Sequence, residues 1–317
     1  MTGRRAIGGE GLVAGAAALW ALIGVCTREL GDLGLPAAEV GTWRAVIGGA
    51  CFVGHATVLG LRRRSGESSG NGADAVLPAL RSLRVPLLAF CLVGVVVFYV
   101  SLPLAVETGG VSLAYVLLYT APVWVLLGAR LFLHEHAARL QVVAGGVAVL
   151  GVAALVASAG GSVEVTVVSV SWGLLAGLSY SSYYLLGRRL FDRVGAVVVH
   201  AVVLPLGAVV LVLLLGITAP TAEMVPWLLL LGIGCTYLPY LMFGTGITRT
   251  SSSRAVVVAM IEPVLATAIG VLAYDERLGA LGVLGAVAVI GAATTVGLYR
   301  EGPGAGAVDG AEYPRPT

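Results

Sequence analysis

The sequence predicts an all-α integral membrane protein with ten transmembrane helices, arranged as two inverted repeats of five helices each. Three observations support this fold class: the composition, the distribution of the arginines and an internal repeat. Of the 317 residues, 58% are hydrophobic and 11% are charged, whereas a soluble chain carries about 25% charged residues. The mean hydropathy is +0.97. Because so few charges do not cover a water-facing surface, we expect the chain to lie in a lipid bilayer.

Ten apolar stretches are each long enough to cross a bilayer as a helix, which takes roughly 17–25 residues. Glycines, prolines, arginine clusters and polar stretches separate them. The first stretch follows a basic N-terminus like that of a signal peptide, but the apolar segments after it favour an uncleaved first span. The predicted spans are Gly9–Cys26, Ala37–Leu61, Val85–Leu104, Val111–Leu133, Leu140–Ala159, Val168–Gly187, Val194–Gly216, Val225–Gly246, Ser252–Ala273 and Leu278–Tyr299.

The arginines predict the orientation of these spans, because loops on the cytoplasmic side of a membrane protein are enriched in basic residues. Connections on one side hold nearly all the arginines, whereas the other side holds only Arg28 and Arg277. Both termini are therefore predicted to be cytoplasmic, in a multi-pass protein of the cytoplasmic membrane. The polar linker 62–84 and the tail 301–317 are expected to carry no chemistry.

An internal repeat relates residues 1–160 to residues 161–300. A shift of 141 positions superimposes several residues of the fourth and ninth predicted spans, for example 135 + 141 = 276. Since each half has an odd number of spans, the second half enters the membrane from the opposite side, as in many secondary transporters. The matched pairs are Ser112 with Ser253, Ala114 with Ala255, Pro122 with Pro263, Glu135 with Glu276 and, more loosely, Trp20 with Trp172.

Two charged residues lie within predicted spans, where a charge costs on the order of 2.5–3.5 kcal/mol. Glu262 lies near the middle of the ninth span, where its repeat counterpart is Ala121. It could bind an amino group of a substrate or carry a proton; alternatively, it pairs with Arg44 or caps backbone groups freed by Pro263. Arg44 lies only a few residues into the second span, and this shallow position favours a structural role in which it pairs with another group. Binding of a substrate carboxylate is the alternative.

Aromatic residues at helical spacing are further candidates for a polar cavity, because a buried tyrosine hydroxyl needs a partner. Interfacial belts and ordinary packing explain such residues equally well. Pro122 and Pro263 free backbone carbonyl groups at equivalent positions and are predicted hinges. The predicted cavity residues besides Glu262 and Arg44 are Trp20, Tyr115, Tyr119, Trp172, Tyr180, Tyr184, Tyr237 and Tyr240.

The sequence also argues against several other functions. The chain has no lysine, so it has no Walker A motif for ATP hydrolysis. The dispersed arginines do not form a nucleic-acid-binding face, and no motif indicates a metal or a cofactor. An intramembrane enzyme acting on lipid or prenyl substrates, and a lipid scramblase or structural membrane protein, remain as alternatives to a transporter. The sequence contains no GxSxG or HExxH motif that would support the enzyme.

The chain resembles the drug/metabolite transporter superfamily, in its EamA-type branch, over nearly its whole length. The resemblance lies in Trp20, Arg44 and the paired segments Ser112–Glu135 and Ser253–Glu276. It implies ten helices as five plus five, a central cavity, and export or exchange of amino acids or other small metabolites. His134 and Tyr274 depart from the pattern, since the family often has a small or aliphatic residue before the acid.

Overall fold

A computed structural model describes residues 8–64, 78–135, 137–158, 164–274, 277 and 279–299. Within these ranges the chain is helical without β-strands, and eight of the helices are long and apolar enough to cross a membrane. The chain is therefore a multi-pass membrane protein. We label the helices α1 (Gly9–Asp32), α2 (Ala37–Arg64), α3 (Arg84–Leu118), α4 (Ala121–Phe132), α5 (Arg139–Ser158), α6 (167–194), α7 (Ala196–Leu215), α8 (Met224–Ile247), α9 (Ser252–Tyr274) and α10 (Ala280–Leu298).

The chain reverses direction within α3, at Gly110. This residue has φ 83° and ψ 160°, a conformation that glycine adopts without the penalty that a side chain would bring. Before the break α3 runs antiparallel to α6, with Gly109 beside Ser169. After the break the chain runs parallel to α6, with Gly128 beside Leu185. The predicted boundary between the third and fourth spans thus corresponds to a sharp turn at one glycine.

Contacts between α2 and α7 show that the two halves are inverted. Glu39, early in α2, accepts a hydrogen bond from the hydroxyl of Thr218, just beyond the end of α7, over 2.7 Å. Phe52, later in α2, stacks on His200, early in α7, with ring centroids 4.8 Å apart. These counterpart helices are therefore antiparallel, as an inverted repeat requires.

Helices α5 and α10 form a second crossing of counterparts, at two glycines. A Cβ atom on Gly151 would lie 2.8 Å from the carbonyl oxygen of Gly285, and one on Gly285 would lie 2.4 Å from that of Gly151. Small residues allow helices to approach this closely in lipid. The glycine-rich composition thus serves packing at this crossing.

Helix α6 is longer than the predicted span, which ended at Gly187. It continues through a π-helical turn, Tyr183–Gly187, into the segment Arg188–Val194. The arginines mark the end of the apolar stretch, but arginine is a good helix former and does not end the helix. The helix ends instead at Gly195, which has φ 82°.

Two other π-helical segments occupy equivalent places in the two halves. Cys91–Val97 lies in α3 and Leu230–Tyr237 lies in α8. The 141-residue shift places the first segment on 232–238 (91 + 141 = 232), which overlaps the second. Such wide turns are often found at functional sites. We name the two ends of the bundle after the ends of α1: the Gly9 end and the Asp32 end.

Candidate functional site

A cavity of about 470 Å³ lies between the two halves. Residues of α1, α2, α3 and α5 line it from the first half, and residues of α6, α8 and α9 line it from the second. It extends from the middle of the bundle toward the Asp32 end, because its wall includes Val111, next to the turn at Gly110, and Leu155, near the end of α5. Its volume falls within the range of small-molecule sites, about 300–1,000 Å³.

Glu262 lies on the wall of this cavity, where helix α9 is interrupted. The first part of α9 ends at Ala259, and the second part begins at Ile261. Tyr119 lies on the same cavity wall. Among the described residues, no basic nitrogen lies within 4.0 Å of the Glu262 carboxylate. The predicted pairing of Glu262 with Arg44 is therefore not formed as a direct ion pair.

Arg44 is buried and also lines the cavity. Its Nε donates a hydrogen bond to the Oγ1 atom of Thr236, over 3.1 Å. Its guanidinium carbon lies 5.0 Å from the centroid of the Tyr99 ring, within the distance of a cation–π contact. The guanidinium is thus held on the protein side by a hydroxyl and an aromatic ring, neither of which neutralises its charge.

Three tyrosine hydroxyls form a chain below the cavity, toward the Gly9 end. The hydroxyls of Tyr99 and Tyr240 are 2.9 Å apart, and Tyr240 donates to Tyr183 over 3.0 Å. Trp20 contacts the Tyr240 ring edge-to-face, with centroids 5.8 Å apart. These four residues, buried at the centre of the bundle, separate the cavity from the Gly9 end.

A second hydroxyl pair lies on α6. Tyr180 lines the cavity and stacks on Phe98, with centroids 5.6 Å apart. Its hydroxyl is 3.1 Å from that of Tyr184, which is fully buried against Phe243. Tyr184 therefore lies behind the cavity wall, in contact with Tyr180.

The structure brings most of the predicted site residues together at the cavity and places four of them elsewhere. Tyr237 hydrogen-bonds His55 Nδ1 over 2.9 Å, outside the cavity wall. Trp172, Tyr184 and Pro122 do not line the cavity either. Those on its wall are Trp20, Arg44, Tyr115, Tyr119, Tyr180, Tyr240, Glu262 and Pro263.

Both predicted hinge prolines follow an interruption in the helix. Pro122 is the second residue of α4, after a break at Tyr119 and Thr120. Pro263 comes just after the interruption of α9 at Met260. The breaks are equivalent under the 141-residue shift (119 + 141 = 260), and their role as hinges stays a prediction.

Ser112 and Thr267 on the cavity wall were not among the predicted site residues. Nor were Tyr99, Tyr183 and Thr236, which lie behind the wall. Tyr99 could have been found from the repeat, because the 141-residue shift superimposes it on Tyr240 (99 + 141 = 240). Tyr183 and Thr236 carry no such signal. The apolar part of the wall, such as Leu102 and Leu118, cannot be told from lipid-facing residues by sequence.

Polar contacts close the Gly9 end of the bundle. Glu10 at the start of α1 pairs with Arg254 of α9 over 3.0 Å and accepts from Thr250 over 2.8 Å. Glu135, in the loop after α4, pairs with Arg188 and accepts from the amide of Ser252. Burial raises the pKa of Glu135, and the positive charge of Arg188 opposes that rise.

Hydrogen bonds also join the two halves at the Asp32 end, where Glu39 accepts from Thr218. The hydroxyl of Tyr274, at the end of α9, donates to Glu29 of α1 over 3.0 Å. Arg28 lies over the same ring, with its guanidinium carbon 4.0 Å from the ring centroid. The counterpart of Glu135, Glu276, lies outside the described residues.

Comparisons with known proteins agree with this two-part architecture. Residues 7–157 and residues 167–298 each match the model of the EamA-like transporter family. A crystal structure titled only "Crystal structure of protein" has the same fold, with a TM-score of 0.73 at 20% sequence identity, covering 92% of this chain and 96% of its own. No curated protein matches the sequence.

Proposed function

The chain belongs to the EamA-like transporter family, and we propose that it is a secondary transporter of a small metabolite, an amino acid or a similar solute. We propose that it works by alternating access in the cytoplasmic membrane and carries out export or exchange. One observation carries the proposal: a cavity between two inverted halves has Glu262 and Arg44 on its wall without a direct ion pair between them.

Opposite charges on one cavity wall suit a solute that carries both signs. We propose that Glu262 receives the amino group of the substrate and that Arg44 receives its carboxylate. Leu102, Leu118 and Leu155 on the same wall would contact an apolar body. A charge buried without a partner costs several kcal/mol, so a substrate that neutralises both charges gains affinity from each of them.

We propose ten membrane crossings with both termini in the cytoplasm. Eight helices are long and apolar enough to cross; the reversal at Gly110 divides α3, and α6 is also available as a crossing. The arginine distribution assigns the Gly9 end to the cytoplasm. With this assignment the cavity reaches toward the outside, and the tyrosine chain and the Glu10–Arg254 pair close the inside, which is an outward-facing state.

We also propose that protons are coupled to transport through Glu262. A proton and a substrate ammonium group would compete for the same carboxylate, since no basic nitrogen among the described residues lies within 4.0 Å to occupy it. A carrier that must release the proton before it binds the substrate, and the substrate before it binds a proton, exchanges the two across the membrane. Inward movement of protons would then drive export of the substrate.

The proposal is tested with the purified chain in proteoliposomes loaded with a panel of amino acids and related metabolites. We expect counterflow of at least one amphoteric solute, faster when a pH gradient is imposed. Glu262→Gln, which keeps the shape of the side chain, should abolish the effect of the gradient. If no panel member exchanges, the transporter assignment fails. If exchange ignores the gradient, the proton coupling fails; if exchange is also unchanged in Glu262→Gln, the binding role of Glu262 fails with it.

A further inference from the structure

We infer that Thr236 is a positioning residue that aims the Arg44 guanidinium at the anionic group of the substrate. This inference rests on the proposed function, and it concerns a residue that does not itself line the cavity. Thr236 is fully buried behind Arg44. It would act on the substrate only through that arginine.

The hydroxyl of Thr236 is oriented for this role. It donates its hydrogen to the carbonyl oxygen of Leu231, over 2.9 Å, within the π-helical segment of α8. A threonine hydroxyl has one hydrogen and two lone pairs. Because the hydrogen is committed to Leu231, a lone pair is left to accept from Arg44 Nε.

This contact occupies Nε of Arg44 and leaves both terminal nitrogens for an end-on contact with a carboxylate. A guanidinium has five N–H donors in a planar fork, and its terminal nitrogens match a carboxylate in a bidentate arrangement. With Nε bound to Thr236, the plane of the fork is fixed. Among the described residues, no acidic oxygen lies within 4.0 Å of Arg44, so its terminal nitrogens have no protein carboxylate as a partner.

The equivalent position in the first half shows which residue meets the packing requirement without this role. Its counterpart in the first half is Val95 (95 + 141 = 236), which has the same shape without the hydroxyl. Both residues pack on a glycine: a Cβ atom on Gly48 would lie 2.8 Å from Thr236 Cγ2, and one on Gly207 would lie 2.6 Å from Val95 Cγ1. Since valine meets the same packing requirement in the first half, the hydroxyl in the second half serves Arg44.

The test compares Thr236→Val and Thr236→Ser with the unaltered chain in proteoliposomes. The probes are L-leucine and 3-methylbutylamine, which is leucine without its carboxylate. We expect Thr236→Val to raise the KM for L-leucine about tenfold, as expected when a hydrogen bond to a charged group is lost, with the maximal rate little changed. The KM for the amine should change less than about twofold, and Thr236→Ser should restore the L-leucine value. The control Val95→Thr should leave both values unchanged.

A second measurement does not depend on the substrate. If the contact exists, Thr236→Val lowers the melting midpoint of the detergent-solubilised protein but does not lower it further when Arg44→Gln is already present. Additive midpoints would overturn the inference, as would an equal change of KM for both probes. If the unaltered chain carries neither probe, then L-leucine is not a substrate. The melting midpoints alone then decide whether Thr236 holds Arg44.

Discussion

The first and second halves of the chain share a helical framework and differ in the polar groups that it carries. One pair of π-helical segments, in α3 and α8, and one pair of helix breaks, before Pro122 and Pro263, occur at equivalent places in the two halves. By contrast, Glu262 corresponds to Ala121, and Thr236 corresponds to Val95. The symmetric part is the backbone and its packing, which two interchangeable conformations require. The asymmetric part is the chemistry of the cavity, which a single bound solute requires.

Tyr99 and Tyr240 show the other side of this comparison, because here the two counterparts are identical and touch each other. Under the proposed alternating access, in which the halves exchange conformations, a contact between counterparts becomes the same contact again. A contact between residues that are not counterparts, such as Tyr240 with Tyr183, becomes a different contact. The first kind should persist through the transport cycle, and the second kind should break.

The largest effect is expected when Glu262 is replaced by alanine, the residue at the equivalent position of the first half. Glu262→Ala removes the carboxylate and leaves the residue that the first half has at this position. Exchange of amphoteric solutes should fall about 100-fold, since removing one partner of a buried charge pair costs about 2–5 kcal/mol. The measurement is the initial rate of counterflow in proteoliposomes. Unchanged exchange by a normally assembled Glu262→Ala variant would remove Glu262 from the binding site.

The next largest effect distinguishes the two tyrosine contacts. Cysteines at 183 and 240, joined by a bifunctional thiol reagent of matched length, should reduce exchange about tenfold, because the cross-link holds a contact that one state must break. The variant with cysteines at 99 and 240, cross-linked in the same way, should retain most of its solute exchange. Reduction of the cross-link provides the control within each variant. Equal inhibition by the two cross-links would contradict exchange by swapping of the halves.

A smaller effect should be the same in both halves, because it concerns packing alone. Gly151→Ala and Gly285→Ala each bring a Cβ atom within 2.8 Å of the opposing carbonyl oxygen, and such overpacking costs about 1–3 kcal/mol. Both variants should therefore lower the melting midpoint by similar amounts.

The same two helices supply the controls for these glycine variants. A Cβ atom on Gly146 of α5 or on Gly291 of α10 would meet nothing within 4 Å. Gly146→Ala and Gly291→Ala should therefore leave the midpoint nearly unchanged. A clear difference between Gly151→Ala and Gly285→Ala would show that the crossing is not symmetric.

Much of the framework could be predicted from the sequence because lipid imposes a simple requirement on every spanning helix. The apolar stretches, the arginine-rich connections and the 141-residue shift predict two repeats, and the family match confirms the predicted resemblance. The interruption of α1 after Trp20 and the π-helical turns leave no mark in hydropathy. They depend on local hydrogen bonding, which tertiary packing decides.

The charged residues of the cavity were the easiest to predict from the sequence. Glu262 and Arg44 are conspicuous because charges are rare in apolar spans, and both line the cavity. The tyrosine pairs gave a mixed result, since helical spacing puts Tyr180 and Tyr184 on one face but does not say which of them reaches the cavity. Thr236 could not be identified, because a single hydroxyl in an apolar helix commonly bonds its own backbone.

The smallest effect is expected at Glu135, which joins the first half to the second half at the Gly9 end. Burial raises its pKa above the ordinary value of 4.5, so folding favours the protonated form. The contribution of Glu135 to stability is therefore highest at low pH and falls as the pH rises from 4.5 through the folded-state pKa. Glu135→Gln cannot ionise and should lack this fall. The melting midpoint of the unaltered chain, minus that of Glu135→Gln, should thus fall over that window. Glu107→Gln, at an exposed position near the Asp32 end, should keep the pH dependence of the unaltered chain. A difference that grows with pH would mean that the pair with Arg188 outweighs the cost of burial.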